Sequence, residues 1–406
     1  MALFSRLAER RTISPATLFG TGLDTLGFGT TDAGVKVDPD TALAASPIWA
    51  AQKLISDDTS NLPIGSFVRK SDGTRAPYEK YGWMRQPDPF DPNLTIEAHF
   101  QQVVMGILQW GRSYTFCEGG VGPDVERLIV LPPERVRVVR NGVSPEYQVM
   151  DQNGRKVGVY TGADIIHIAP FRKPGALDGL SPIEAAQQGI GLGIAAERYT
   201  ARFFGQGGLM PGFIEVPAGA STDTTEMRKE FQKANGGWRK SGLAGFLTGG
   251  SKWVQSGVNP RDADLSAIRE YQVEEACRIY GIPPHKLGSQ KPGAVGYASI
   301  EQREIDYVQG LAHYLVPMER AYRRLTRGND TYIKFNVAGL LRGDLKARYE
   351  AYGLGLLNGF LSIDDVRRLE DLPPVPGGDV HRVQAQMVDI TAPAPAPQPA
   401  PGVPQP

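Results

Sequence analysis

Sulfur is scarce: Cys117 and Cys277 are the two cysteines of the chain, and neither has a partner at metal-binding or CxxC spacing. A disulfide framework is therefore excluded, and a reducing compartment fits. Net charge is missing too, with 44 basic residues balancing 44 acidic ones. Tight static binding of phosphates needs a basic excess, so a nucleic acid partner would have to be handled without being gripped. Long apolar runs are absent. The least charged helical stretch, Ala185 to Ala196, contains Gln187 and Gln188 and falls short of the about 18 to 20 apolar residues that cross a bilayer. Near the start, Leu3, Phe4 and Leu7 alternate with Arg6, Arg10 and Arg11, so a signal peptide is not expected.

Catalytic signatures are also lacking. His99, His167, His285, His313 and His381 stand far apart, with no HExxH spacing and no cysteine nearby, so no metal site is expected. There is no Gly-x-Ser-x-Gly elbow, and the acidic pairs Asp57-Asp58 and Asp364-Asp365 fall at a helix end and a helix start, where dipole or cap explains them. Gly245 to Lys252 clusters glycines ahead of Ser251-Lys252, but a phosphate loop needs Gly-Lys-Ser/Thr opening a helix; here Trp253-Val254 continues as strand, so this is a turn. Gly189, Gly191 and Gly193 lie inside a helix and form no dinucleotide fingerprint. Arg342-Gly343-Asp344 reads as a turn before a helix capped by Asp344. No cofactor, metal or catalytic residue is expected, and the chain is not expected to be an enzyme.

What is present is an ordinary globular composition, 41% hydrophobic and 22% charged. Glycine and proline concentrate in three places: the leader Gly20 to Gly34, the segment Lys286 to Ala298, and the uncharged terminus Thr391 to Pro406 with seven prolines. The first reads as a loose arm and the last as an extended, solvated tail. Ser181-Pro-Ile-Glu184 is a capping box that predicts one helix to about Gln206. Asn259-Pro260 opens another helix to Tyr280, ended by Gly281 and Pro283. Ser299 starts a third, whose Val308, Leu311, Leu315, Met318, Tyr322 and Leu325 form an apolar stripe, with a kink expected at Pro317. Shorter helices are expected over 47–59, 95–111, 222–233, 344–357 and 362–370. Strands are expected over 65–70, 113–117, 127–131, 135–140, 147–150, 165–168, 212–216, 243–248 and 332–335. Without a βαβα rhythm the fold class is α+β. The three helix glycines each cost about 1 kcal/mol against alanine; either a neighbouring helix approaches closely there or the helix packs on its own core.

In order along the chain come Ser46-Pro-Ile-Trp-Ala-Ala51, Asn61-Leu-Pro-Ile64, Gly111-Arg-Ser-Tyr114, Leu131-Pro-Pro-Glu-Arg-Val136, Asp164-Ile-Ile-His-Ile168 and Gly179-Leu-Ser-Pro-Ile183. Phe203 to Pro211, Tyr280-Gly-Ile-Pro-Pro284, Leu341-Arg-Gly-Asp344 and Pro373 to Asp379 follow. From about Ala45 to Asp379 this series resembles the portal proteins of tailed double-stranded DNA bacteriophages, in the HK97-like portal family. The leader and the proline tail fall outside the resemblance.

The resemblance implies a portal fold assembled as a ring, twelve-fold in the virion, at one capsid vertex. Terminase packages double-stranded DNA through such a ring, the head-tail adaptor attaches to it, and DNA leaves through it. It also nucleates capsid assembly. The implied divisions are an arm (1–44), wing (45–180), stem helix (181–206), clip (207–260), stem helix (261–281), tunnel loop (282–298), wing helix and strand (299–335), crown (336–390) and disordered tail (391–406). The partners implied are further copies of the chain, major capsid protein and scaffold, the terminase large subunit, the adaptor, and DNA held without sequence specificity. Lys286, Gln290, Lys291, Pro292, Gly293, Gly296 and Tyr297 become the tunnel loop facing DNA, and Gly189, Gly191 and Gly193 the stem packing positions, suited to helices packed between subunits. Arg228, Lys229, Lys233, Arg239 and Lys240 become the clip contacts. Residues 261–281 carry three basic and five acidic side chains, net −2, and a channel wall of that kind lets DNA slide. The bland reading of 286–298 is an ordinary linker, and the rival class for the whole is a structural head-tail connector without a channel.

Overall fold

The computed structural model describes residues 28–78, 81–141, 144–205, 212–215, 229, 252–255, 265–288, 300–337, 340, 345–370 and 372–382. In chain order these form α1 (Pro39–Leu43), α2 (Ser46–Ser60), β1 (Ile64–Arg69), β2 (Arg75–Pro77), α3 (Gly82–Arg85), α4 (Ile96–Trp110), β3 (Ser113–Glu118) and β4 (Arg127–Leu131). Next come β5 (Val136–Asn141), β6 (Ser144–Met150), β7 (Lys156–Tyr160), β8 (Ile165–Ile168), α5 (Pro182–Ala185), α6 (Gln187–Gly205), β9 (Gly212–Glu215) and β10 (Lys252–Gln255). They are followed by α7 (Leu265–Tyr280), α8 (Ile300–Tyr322), β11 (Thr331–Phe335), α9 (Leu345–Leu357) and α10 (Ile363–Leu369). The described strand pairings are antiparallel, as the absence of βαβ spacing predicts. Their orders are β11-β1-β2, β4-β3-β8 and β5-β6-β7, with β9 and β10 as a separate pair.

Two compact units divide the chain, Met1–Gly339 and Leu340–Pro406. In the first, the apolar faces of β4-β3-β8 and β5-β6-β7 meet through Tyr114, Val136, Val138, Tyr147 and Ile165. An aromatic cluster forms the second core. The Phe100 ring lies 5.0 Å from Tyr322 and 5.1 Å from Phe335, and Trp83 lies 5.8 Å from Tyr322. The Tyr322 hydroxyl is satisfied inside it, 2.6 Å from His99 Nε2 and 3.0 Å from Thr115 Oγ1. The expected stripe on α8 is the buried face at Leu311, Leu315, Met318 and Tyr322, while Val308 is half-buried and Leu325 falls in a following 3-10 turn. Pro317 is inside α8 as expected. In the second unit, Ser362 and Asp365 form a complete capping box on α10, and Arg348 of α9 pairs with Glu370 at 2.9 Å.

Three expectations need correction. The helix expected over 181–206 is two helices. Ala186, at φ −105° and ψ 14°, interrupts it, because α5 is anchored to α4 through Ser181 while the axis of α6 is set by its packing on α7. The arm expected to be loose through residue 44 is ordered from Phe28 on. Val35 and Val37 are buried, Asp38 and Thr41 cap α1 reciprocally, and Phe28 meets Trp110 edge to face at 5.2 Å. Its backbone is held by α6, Gly29 N–H donating to Gln187 Oε1 at 3.4 Å and Asp32 N–H to Gln188 Oε1 at 3.1 Å. Arg135 belongs to a 3-10 turn ahead of β5, not to the strand. The short β2, β7, α1 and α3 were not anticipated, being too brief for a periodic signal.

Candidate functional site

Two segments of the series fold against each other. Gly111 ends α4 in the left-handed region (φ +72°), and a Cβ there would lie 2.0 Å from the Leu180 carbonyl oxygen; one on Gly179 would lie 2.1 Å from the Gly111 carbonyl oxygen. Only backbone without side chains fits this crossing. Beside it Ser181 Oγ donates to the Gln109 carbonyl at 2.5 Å and accepts from Glu184 N–H at 3.2 Å, which ties the start of α5 to the end of α4.

Asp178, 2% exposed, gathers the junction. Its carboxylate accepts from the Tyr114 hydroxyl at 2.5 Å and stands 3.2 Å from both Arg112 Nε and His167 Nε2. Burial alone would raise its pKa, but the His167 hydrogen bond, the Arg112 charge and the Tyr114 bond together hold it below the usual carboxylate range. Burial outweighs Asp178 at His167 and lowers the imidazole pKa. His167 is thus neutral, with Nε2–H donating to Asp178 and Nδ1 accepting from the Tyr147 hydroxyl at 3.4 Å. Burial likewise pushes the Tyr114 phenol up. An ionised carboxylate, a guanidinium and a neutral imidazole, each partnered, make a rigid brace with no open face for a substrate. Sequence reasoning missed Asp178 and Arg112 as a pair; the signal was that Gly111-Arg-Ser-Tyr114 supplies Arg112 and Tyr114, Asp164-Ile-Ile-His-Ile168 supplies His167, and Gly179-Leu-Ser-Pro-Ile183 flanks Asp178.

From this brace α6 runs antiparallel in sequence order to a partner, α7, at contact distance. A Cβ on Gly189 would lie 2.0 Å from Glu275 Oε1, one on Gly193 2.1 Å from Gln272 Nε2, and one on Gly191 2.5 Å from Thr31 Oγ1. The glycines answer a close approach made within one chain, to α7 and to the arm, so they do not by themselves call for a neighbouring subunit. Ile190, Ile194, Ala276, Cys277 and Tyr280 close the pair's inner side. Tyr280 is fixed from three sides: its hydroxyl accepts from Gln52 Nε2 at 2.7 Å and donates to the Leu108 carbonyl at 3.4 Å, and its carbonyl accepts from the Tyr314 hydroxyl at 3.2 Å. Burial raises the Tyr314 phenol to about 12 and lifts the Glu275 carboxyl as well. The pair leaves Leu192 51% exposed and Tyr271 49% exposed.

The remaining candidates divide between described and undescribed chain. Lys286 lies in a 3-10 turn (Pro284–Leu287), half-buried, its Nζ 4.8 Å from the centre of the Tyr307 ring. This contact holds it against α8, at the start of the segment expected to be the tunnel loop. Gln290, Lys291, Pro292, Gly293, Gly296 and Tyr297 lie outside the described residues, as do Arg228, Lys233, Arg239 and Lys240. Lys229 is helical and exposed. Within the expected clip, β9 and β10 pair from Gly212↔Gln255 to Glu215↔Lys252. Among the described residues no group of three or more His, Cys, Asp and Glu could hold a metal ion, and no helix is long and apolar enough to cross a membrane.

The phage portal protein family matches residues 46–371 of the chain. A probable portal protein of Streptomyces phage phiC31 is 30% identical over 361 residues, covering 85% of this chain and 78% of the relative. The portal protein of Enterobacteria phage HK97 is 28% identical over 364 residues, covering 87% and 85%. Among solved structures, an HK97-family phage portal protein from Corynebacterium diphtheriae superposes with TM-score 0.54 at 16% identity, over 78% of this chain and 99% of that one. A chain from the neck of a native gene transfer agent particle, computed with C12 symmetry, gives TM-score 0.51 at 22% identity, over 82% and 92%.

Proposed function

The chain belongs to the phage portal protein family, and from that premise we propose that its copies close into a ring at one capsid vertex with α6 and α7 around a central DNA channel. Portal proteins are structural, and this one is not an enzyme. The observation that carries the ring is the α6–α7 pair. Its inner side is sealed at glycine distance within one chain while Leu192, Tyr199 and Tyr271 stay exposed outside. Neighbouring copies would cover such side chains, and a twelve-fold arrangement is favoured by the C12 neck to which the fold is similar. Residues 207–260 form the clip that meets the terminase large subunit and then the head-tail adaptor. Residues 282–298 form the tunnel loop, 336–390 the crown, and the rest of 45–335 the wing and stem. Double-stranded DNA slides through without sequence readout, because the stretch 261–281 that contains α7 carries a net −2 charge and offers no sustained phosphate grip. The protein works in the virion, after assembly with major capsid protein and scaffold in the host cytoplasm. Electron microscopy of the purified chain tests this: rings with a hole wide enough for duplex DNA are expected, and monomers at every salt concentration would overturn it.

A further inference from the structure

The meander β5-β6-β7 has two outer strands, and they offer different edges. β5 carries Arg137 and Arg140 within its length, charges of the kind that discourage a further strand from pairing. β7 has no proline, and its one charge is at its first residue, Lys156. It pairs with β6 on one side, so alternate backbone N–H and C=O groups along it point outward, where no strand among the described residues meets them. Val157 and Val159 stand 68% and 45% exposed beside that edge.

The rest of β7 holds the edge still. The Tyr160 ring lies 5.0 Å from Phe116 and packs on the core of Tyr114, Val138 and Tyr147. Gly158 makes room for that ring, since a Cβ there would lie 2.7 Å from Tyr160 Cε2. Turns pin both ends. Before the strand, Asp151 N–H donates to the Arg155 carbonyl at 2.8 Å, and the Asp151 carboxylate accepts the N–H groups of Asn153 and Arg155, each at 2.8 Å. After it, the Asp164 carboxylate accepts the Thr161 N–H and hydroxyl at 2.9 Å. With Asp151 occupied by backbone, the exposed Arg155 and Lys156 have no ion pair among the described residues.

We propose that β7 takes up an extended segment of a protein partner as a fourth, antiparallel strand, with apolar side chains beside Val157 and Val159 and carboxylates on Arg155 and Lys156. The free edge supplies backbone hydrogen bonds, and the two valines and two cations supply the choice of sequence. Antiparallel pairing is the more stable direction and continues the meander. It sets the C-terminal end of the added segment against Lys156, the first residue of the strand, so the carboxylates belong at that end. A second copy of β7 complements this edge less well, because it brings its own Arg155 and Lys156 where carboxylates are wanted.

The experiment measures fluorescence anisotropy of a labelled Thr-Val-Thr-Val-Thr-Glu-Glu peptide against the full-length protein. The wild type binds it about tenfold more tightly than the same peptide ending in Lys-Lys. V157K/V159K weakens binding about tenfold, and R155E/K156E exchanges the preference between the two peptides. Melting temperatures stay unchanged, because all four side chains are exposed. Should a double variant fail to fold, Val157→Thr, Val159→Thr and Arg155→Gln are read singly, each expected to weaken binding about threefold. No binding by the wild type, or binding that none of these substitutions alters, overturns the proposal. Loss of rings in V157K/V159K, where the wild type takes up no peptide, also overturns it and makes the edge a contact between copies.

Discussion

A single methyl group separates the two kinds of glycine in this chain. At Gly111 it would strike the Leu180 carbonyl and the Ser181 nitrogen, which are backbone, in a left-handed conformation. At Gly193 it would strike the end of Gln272, a side chain free to rotate away. Gly111→Ala is therefore expected to cost about 3 kcal/mol or more, while Gly193→Ala stays within about 1 kcal/mol because helix propensity offsets the displaced glutamine; melting temperatures of the two variants would rank them. Asp178→Asn removes the charge partner of Arg112 and leaves one acceptor oxygen where Tyr114 and His167 each had their own, so about 3 kcal/mol should be lost, as when a buried pair loses one member. His99 supplies a pH test. Burial lowers its pKa from 6.5 to about 3, so the unfolded chain takes up a proton that the folded chain refuses. Its contribution is complete above pH 6.5 and declines at up to about 1.4 kcal/mol per pH unit as the medium is acidified towards pH 3. His167 shifts in the same direction. The wild-type melting temperature should fall between pH 6.5 and 4, and His99→Gln should flatten that fall; an unchanged slope would refute the assignment.

Among elements, the strongly periodic ones were legible. The expected helix over 95–111 is Ile96–Trp110 with Thr95 as its cap and Gly111 at its end, and the strand over 127–131 has those bounds. In both, the local pattern and the tertiary fold ask for the same conformation. The break at Ala186 was not legible, because it reconciles two anchors, Ser181 on Gln109 and Gly189 on Glu275, that lie far away in sequence. The arm from Phe28 to Val37 was hidden for a related reason. Its order comes from Gln187 and Gln188, more than 150 residues on. Two deletions test the elements assigned from the family. Removing 391–406 should leave melting temperature and rings unchanged, since an uncharged proline-rich stretch offers little to bury. Removing Gln290 to Gly296 should preserve rings and procapsid incorporation yet impair packaging or retention of DNA; ordinary DNA content in the resulting particles would make that loop a linker.

At the scale of the whole molecule, the brace around Asp178 and the packed pair α6 and α7 form one continuous support. α4 and α5 are joined at a glycine crossing, and Tyr280 ties α7 back to Gln52 of α2 and Leu108 of α4. On the proposed reading, in which α6 and α7 surround the channel, a wall that must resist passing DNA needs such fixation more than it needs catalysis. The purified protein should accordingly hydrolyse no ATP by itself, and a steady-state phosphate-release assay checks this.

By its sequence alone this chain was determined to be a mixed α and β protein of the phage portal family, without disulfides, a membrane-crossing helix or a phosphate loop. Those conclusions rest on composition, local periodicity and ordered short motifs, all of which act over a few residues. Tertiary structure alone decided which motifs meet. It placed Arg112, Tyr114, His167 and Asp178 on one carboxylate, and it turned Gly189, Gly191 and Gly193 towards α7 and the arm. It also drew Lys286 onto Tyr307, and Arg69, Arg320 and Arg323 into one cleft. The physical reason is that such groupings are set by packing across tens to hundreds of residues, where no spacing in the sequence records which side chains will be neighbours.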